Sequence, residues 1–203
     1  MILPLNLAFA QTSSDGSVIL NGQVDLHITS SNVNTSIGNI AGNATGTSEA
    51  VGNNLEVFTV KNDADVTNNQ YVSSVSISAD QNANVQNTGG GVSLTSQAIC
   101  NAADVSTDPH TTAVTSNQQC FANDPSAVLN ANVVNAGNDV SLASTAIGNT
   151  FSEDTNAGTM PTQNFQYNAS NLASTVNANV KNVAGNVAVN SSAIGNNAQI
   201  IQY

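Results

Sequence analysis

The sequence predicts an all-β fold, a β-solenoid of the parallel β-helix type built from four repeats of about 48 residues, and three observations carry that prediction. The first is self-similarity: residues 34–54, 82–102, 130–150 and 177–197 align without an internal gap, and Ala50, Ala98, Ala146 and Ala193 fall at one column, 48, 48 and 47 residues apart. The second is alternation, since each block carries a V-x-L or V-x-V core of β-branched residues at period two, the signature of short half-buried strands. The third is composition. Asn, Ser, Thr, Gly and Val dominate while Leu, Glu, Lys and Arg are few, so no window combines helix propensity with a sustained 3.6-residue stripe.

Five columns hold one residue type in all four copies: Asn34/82/130/177, Asn39/87/135/182, Ser48/96/144/191, the Ala column above and Asn53/101/149/196. Between them run apolar columns such as Ile37/Val85/Val133/Val180 and Val51/Ile99/Ile147/Ile194, expected to face inward, with Ile99, Ile147 and Ile194 among the least exposed residues. A recurring Asn either stacks amide on amide along the axis, at a rise of about 4.8 Å, or occupies a turn and bonds its own backbone. Both readings stand for Asn39, Asn87, Asn135 and Asn182. The pairs Gly52-Asn53, Gly148-Asn149 and Gly195-Asn196 read first as corners that use positive φ. Small Ala and Ser columns mark places where walls pack closely.

In chain order, residues 1–10 read as the remnant of a signal peptide, because Ala8-Phe9-Ala10 has the small-x-small form of a cleavage site. Residues 11–33 form N-terminal cap strands, with 18–28 read as a strand pair around Asn21-Gly22. The array fills 34–203. Its spacers supply further strands, which makes each repeat two coils, and Asp108-Pro109, Asp124-Pro125 and Met160-Pro161 interrupt them. The aromatics Phe121, Phe151, Phe165 and Tyr167 are expected as core plugs. Residues 198–203 form an apolar strand with nothing after it, so Ile200 and Ile201 mark an edge open to pairing with another chain.

Two cationic side chains, Lys61 and Lys181, stand against 13 acids, for a net charge of −11. Such a balance repels phosphate backbones and anionic lipid, so nucleic acid is excluded as a partner. No segment approaches the ~20 apolar residues of a transmembrane helix. Cys100 and Cys120 are predicted to form a disulfide, in keeping with an oxidising, secreted compartment; it would restrain an insertion carrying Asp104, Asp108 and His110. No metal or cofactor is expected, since there is no CxxC or matching His spacing.

No catalytic constellation emerges. Carbohydrate-active β-helices need clustered carboxylates with a cationic partner, and the chain has no Arg; Asp63, Asp65, Glu153 and Asp154 fall at unlike positions and read as solvated loop acids. Gly89-Gly90-Gly91 is a glycine-rich turn without the helix or Lys of a phosphate loop. Asn62-Asp63-Ala64-Asp65 lacks the calcium-binding nonapeptide, and His27 and His110 have no nucleophile partner. An ice-binding solenoid would want Thr columns, and no column of the blocks is Thr throughout.

The recurring G-(N/D)-V-S-L-x-S-x-A-x-G-N pattern, carried by residues 137–149 and 91–101, resembles the repeats of the holdfast attachment (holdfast anchor) proteins of stalked alphaproteobacteria, particularly the third member of that set. The resemblance covers the four blocks, about half the chain. It implies a non-enzymatic protein secreted to the cell surface, outer membrane-associated, that ties an adhesive polysaccharide to the envelope together with other surface anchor proteins. The Gly/Asn/Ser/Ala usage is more distantly similar to curli-type subunits, though here the regular Gln ladders of curlins are missing and the period is about twice as long. The alternatives are a functional-amyloid-like fibre subunit of a biofilm matrix, self-associating through the C-terminal edge, and a β-helical carbohydrate-active enzyme.

Overall fold

A computed structural model describes residues 7–13, 16–60, 64–74, 76–108, 113–155 and 161–202. They form thirteen strands and, among the described residues, no helix. Strand β1 (Leu7–Ser13) folds back antiparallel on β2 (Gly16–Asp25). The first coil then comprises β2, β3 (Thr29–Ile40) and β4 (Ala44–Val60), and the second β5 (Ala64–Val72), β6 (Ile77–Thr88) and β7 (Val92–Asp108). The third comprises β8 (Val114–Cys120), β9 (Ser126–Ala136) and β10 (Val140–Thr155), and the fourth β11 (Thr162–Asn168), β12 (Ala173–Val183) and β13 (Val187–Gln202).

Every coil-to-coil pairing is parallel, giving three sheets: β1-β2-β5-β8-β11, β3-β6-β9-β12 and β4-β7-β10-β13, hereafter the first, second and third sheets. Register is fixed by the repeat. Asn82 pairs with Asn34 and Asn130, Ala98 with Ala50 and Ala146, and Ile147 with Ile99 and Ile194. Since equivalent residues pair directly, one repeat is one coil of three strands, not the two expected; the spacers complete the coil that each block begins. Slipping the register by one residue would turn every interior side chain outward, so alternation and repeat enforce each other.

In section the coil is flattened. The long strands of the third sheet span both other sheets: their first halves pack against the second sheet around Val85, Leu94, Val133 and Leu142, and their second halves against the first sheet around Val66, Val105, Val114 and Phe151. Where the sheets meet, Ala79, Ala98, Ala127 and Ala146 leave room for the walls to touch. There the Ser column crosses the interior, Ser96 and Ser144 donating to the Ala79 and Ala127 carbonyls at 2.6 and 2.7 Å. A residue smaller or larger than Ser would lose that bond or force the walls apart.

Several local expectations are corrected. The Gly-Asn pairs are not positive-φ corners: β4, β7, β10 and β13 run through them, and the left-handed residues of the repeat are Asn39, Asn87, Asn135 and Asn182, with φ of 54–59°, joined by Asp124 at 45° in the connection after β8. Glycine serves close approach instead, since a Cβ on Gly52 would stand 2.7 Å from the Cys100 carbonyl. Strand β2 runs unbroken through Asn21-Gly22, and its hairpin partner is β1, which includes the Ala8-Phe9-Ala10 stretch. Phe151 is a core plug, but Phe121, Phe165 and Tyr167 are exposed, because they sit at outward positions of the first sheet's side. Glu153 is not a loop acid; it lies on β10 at an inward position and is fully buried. Asp63 and His110 lie outside the described residues.

Candidate functional site

The repeated polar side chains build the molecule's main chemical feature, parallel ladders of amides running along the axis. In the second sheet Asn82 donates to Asn34, Asn130 to Asn82 and Asn177 to Asn130, at 2.7–2.9 Å. Asn132 and Asn179 donate to Asn84 and Asn132 in a second column two residues along. At the left-handed corner Asn87, Asn135 and Asn182 extend a third ladder from Asn39 at 2.7–3.0 Å. Asn thus does both jobs at that column: it tolerates positive φ better than other side-chain-bearing residues, and its amide remains free to stack.

The Asn53 column, read from sequence as a turn, is a ladder as well. Asn53 donates to Asn101, Asn101 to Asn149 and Asn149 to Asn196 at 2.7–2.9 Å, and the other amide hydrogens of Asn53, Asn101 and Asn149 reach the carbonyls of Tyr71, Gln119 and Tyr167 at 2.9–3.0 Å. These bonds join the third sheet to the first across the interior. A further ladder was not anticipated: Gln70, Gln118 and Gln166 stack upon Gln23 at 2.8–2.9 Å. The expected absence of Gln ladders is therefore corrected. The four Gln lie in the spacers, outside the aligned blocks, but their spacing of 47, 48 and 48 residues was readable.

Two surfaces arise from this arrangement. On the second sheet, the Asn34 and Asn84 columns wall a shallow open groove of about 760 Å³ whose floor is the Thr35/Ala83/Ala131/Ala178 column. Among the described residues the fourth coil is the last of the stack. Ala50, Ala98 and Ala146 are buried, whereas their fourth-coil equivalent Ala193 is exposed, and Val187 and Val189 are 48% and 51% exposed although their partners Val140 and Leu142 are buried. Ile99 and Ile147 are buried and Ile194 is half-buried. Of the edge pair, Ile200 continues the inward Val57/Val105/Glu153 column and Ile201 the outward Phe58/Ser106/Asp154 column.

Cys100 on β7 of the second coil and Cys120 on β8 of the third meet in the interior, 5.9 Å between Cα atoms and 2.06 Å between sulfurs, both fully buried. The segment between them is no insertion: it comprises the second half of β7, a connection, and β8. Glu153 is the one carboxyl that burial perturbs among the described residues: desolvation raises its pKa above the usual value, opposed by hydrogen bonds from Thr162, at 2.7 Å, and Gln202. Asp154 is exposed beside it on the outer face and Asp65 is exposed on β5, in a different sheet. Among the described residues no three His, Cys, Asp or Glu side chains gather as metal ligands.

No curated protein and no solved structure matches this chain. A family sequence model does: HfaD, Holdfast attachment protein D, matches residues 39–202, from the first left-handed Asn to the end of β13. That span covers the coil array from the end of β3 onward. The chain belongs to the Holdfast attachment protein D family.

Proposed function

We propose that this chain is a secreted structural protein of the cell surface that anchors an adhesive polysaccharide to the envelope, acting through its repeat surface and C-terminal edge and without catalysis. The observation that carries the reading is the holdfast attachment family match over residues 39–202, because the matched part is the array of coils and not an appended domain. The surface chemistry supports it. Side-chain amides and hydroxyls in regular columns suit a hydrated polymer with its own periodic hydroxyls, and only 7% of residues are charged. Other surface anchor proteins would complete the attachment. Asp65 lies on a different sheet from Glu153 and Asp154, and these two neighbours point to opposite faces, one buried and one exposed, so the three do not form the acid–base pair that glycoside hydrolysis requires. The test is to delete the gene and measure the polysaccharide shed into the medium. Cells should still synthesise it but release it, and a tagged copy should restore retention from an externally protease-accessible position; unchanged retention would refute the reading.

The uncovered fourth coil favours a second reading, a fibre subunit that adds copies end to end. Interior apolar residues left at half exposure, and ladder carbonyls of Asn177 and Asn182 left facing outward, are what a further coil would cover. The paired change Ile200→Lys and Ile201→Glu should leave the circular dichroism of the array unchanged and reduce self-association in sedimentation velocity. Equal sedimentation of wild type and variant would rule this edge out as the assembly contact.

A further inference from the structure

The first sheet has an outer face unlike the other two. Its strands place three outward columns side by side: Leu20/Thr67/Thr115/Gln163, Gly22/Asn69/Asn117/Phe165 and Val24/Tyr71/Gln119/Tyr167. Beyond the third column, Phe121 leans between the two tyrosines, its ring centroid 5.5 Å from that of Tyr71 and 5.3 Å from that of Tyr167. Four of the chain's eight Phe and Tyr residues are thus gathered on one face, where Tyr71, Phe121, Phe165 and Tyr167 are 37–57% exposed. Leu20 and Val24 extend the exposed apolar surface on the first coil.

We infer that this face is a binding platform for a neutral glycan chain, on which pyranose rings stack against the Tyr71–Phe121–Tyr167 strip while hydroxyl or acetamido groups bond the flanking amides. This inference rests on the polysaccharide-anchoring reading and names the site and the ligand chemistry. Charge selects the occupant. None of the twelve positions in the three columns is charged, in a chain with 13 acids, and the nearest outward carboxylate along the strand is Asp65, six residues from Tyr71. An acidic or basic polymer would lose its solvation on this face and find no counter-charge, whereas a sugar chain presents apolar C–H faces and neutral polar edges together. The amides needed for the edges are present, since Asn117 and Asn69 flank the rings, and Gln119, which donates to Asn117, lies between them.

In the third column ring and amide alternate from coil to coil, Tyr71, Gln119, Tyr167, so every second unit of a sugar chain lying along the axis would meet a ring and the unit between would meet an amide. The amide groove on the second sheet is lined by Asn, Ala, Thr and Ser without an aromatic ring, so it offers no surface for a sugar ring to stack on. Exposed aromatic rings cost free energy in water that a stacked ligand recovers, which is why the observations favour the first sheet.

The test uses the full chain, with cello-oligosaccharides and chito-oligosaccharides as neutral probes and polygalacturonate as the charged probe. Binding is followed by calorimetry and by tyrosine fluorescence; there is no Trp, and two of the three Tyr lie in the strip. Wild type should bind a neutral probe and not polygalacturonate. Tyr71→Ala and Tyr167→Ala should each weaken binding about tenfold, as losing much of a covered ring implies, while Tyr→Phe changes retain it. Circular dichroism verifies the fold, and Asp154→Asn, on the outer face of the third sheet and remote from this face, should bind as wild type. Binding that survives both alanine changes would overturn the platform but leave the anchoring reading intact. So would preference for polygalacturonate, or a change in oligomeric state without a change in glycan affinity, which would make the strip a contact between proteins. Failure of wild type to bind either neutral probe would also overturn the platform, while the anchoring reading fails separately, only if cells lacking the protein retain their polysaccharide.

Discussion

Replacing Asn101 by Ala probes the interior ladder at its centre. Asn101 is fully buried; it accepts from Asn53 at 2.9 Å and donates to Asn149 Oδ1 at 2.7 Å and to the Gln119 carbonyl at 3.0 Å. Removing it leaves one donor and two acceptors without these partners in a space from which water is excluded. At about 1–3 kcal/mol for each buried unsatisfied group, with partial relaxation of the neighbours, the loss should be about 3–5 kcal/mol. Its fourth-coil counterpart Asn196 is exposed, accepts from Asn149 at 2.8 Å and makes one long contact of 3.4 Å with the Gln166 carbonyl. Water can replace both, so Asn196→Ala should cost about 1 kcal/mol. Urea unfolding followed by circular dichroism measures the difference, expected as a midpoint roughly 2 M lower for Asn101→Ala. Equal losses from the two changes, or a loss below about 1 kcal/mol from Asn101→Ala, would refute the claim that the ladder's value comes from burial.

Two other perturbations give directional results. Burial raises the pKa of Glu153, so the native chain holds that proton more tightly than the unfolded chain. The associated stability is complete below the unfolded pKa and is lost as pH rises through the raised native value. Glu153→Gln should flatten this slope in urea midpoints taken across mildly acidic to neutral pH, and an unchanged slope would contradict it. Cys100 and Cys120 should resist alkylation in the unreduced protein; replacing both by Ser should cost about 3 kcal/mol through the opened 20-residue loop. Ready alkylation of both thiols without reduction would show that the bond is not formed.

The coil architecture was legible because identical residues recur where identical environments stack. Asn34, Ser48, Ala50 and their copies each meet the same neighbours in the next coil, so the sequence period is the structural period. What was not legible depended on the third dimension of a single coil. Nothing in the Val-Gly-Asn run at 51–53 distinguishes a turn from a strand that passes another backbone closely, and it is the nearby carbonyl of Cys100 that requires Gly52. Hydrophobicity alone puts the aromatics inside; the parity of Tyr167 relative to the inward Gln166 sets its direction, and that needs the strand register. Glu153 was assigned to the surface on chemistry, although the column it shares with Val57 and Val105 marks it as inward. The Gln ladder is carried by Gln23, Gln70, Gln118 and Gln166, which lie in spacers whose other residues do not repeat as the blocks do.

The central claim is that anchoring resides in the coil array and not in a catalytic residue. Excising residues 34–81 removes one coil in register, because Asn34 pairs with Asn82, and leaves Cys100 and Cys120 in place. Polysaccharide retained on cells should then be measured for this three-coil chain beside Asp65→Asn, Glu153→Gln and Asp154→Asn, with secretion and fold verified for each. The account predicts full retention by the three single variants and reduced retention by the shortened, folded and secreted chain. Loss of retention from any one folded and secreted carboxylate variant, with the three-coil chain working as wild type, would contradict it.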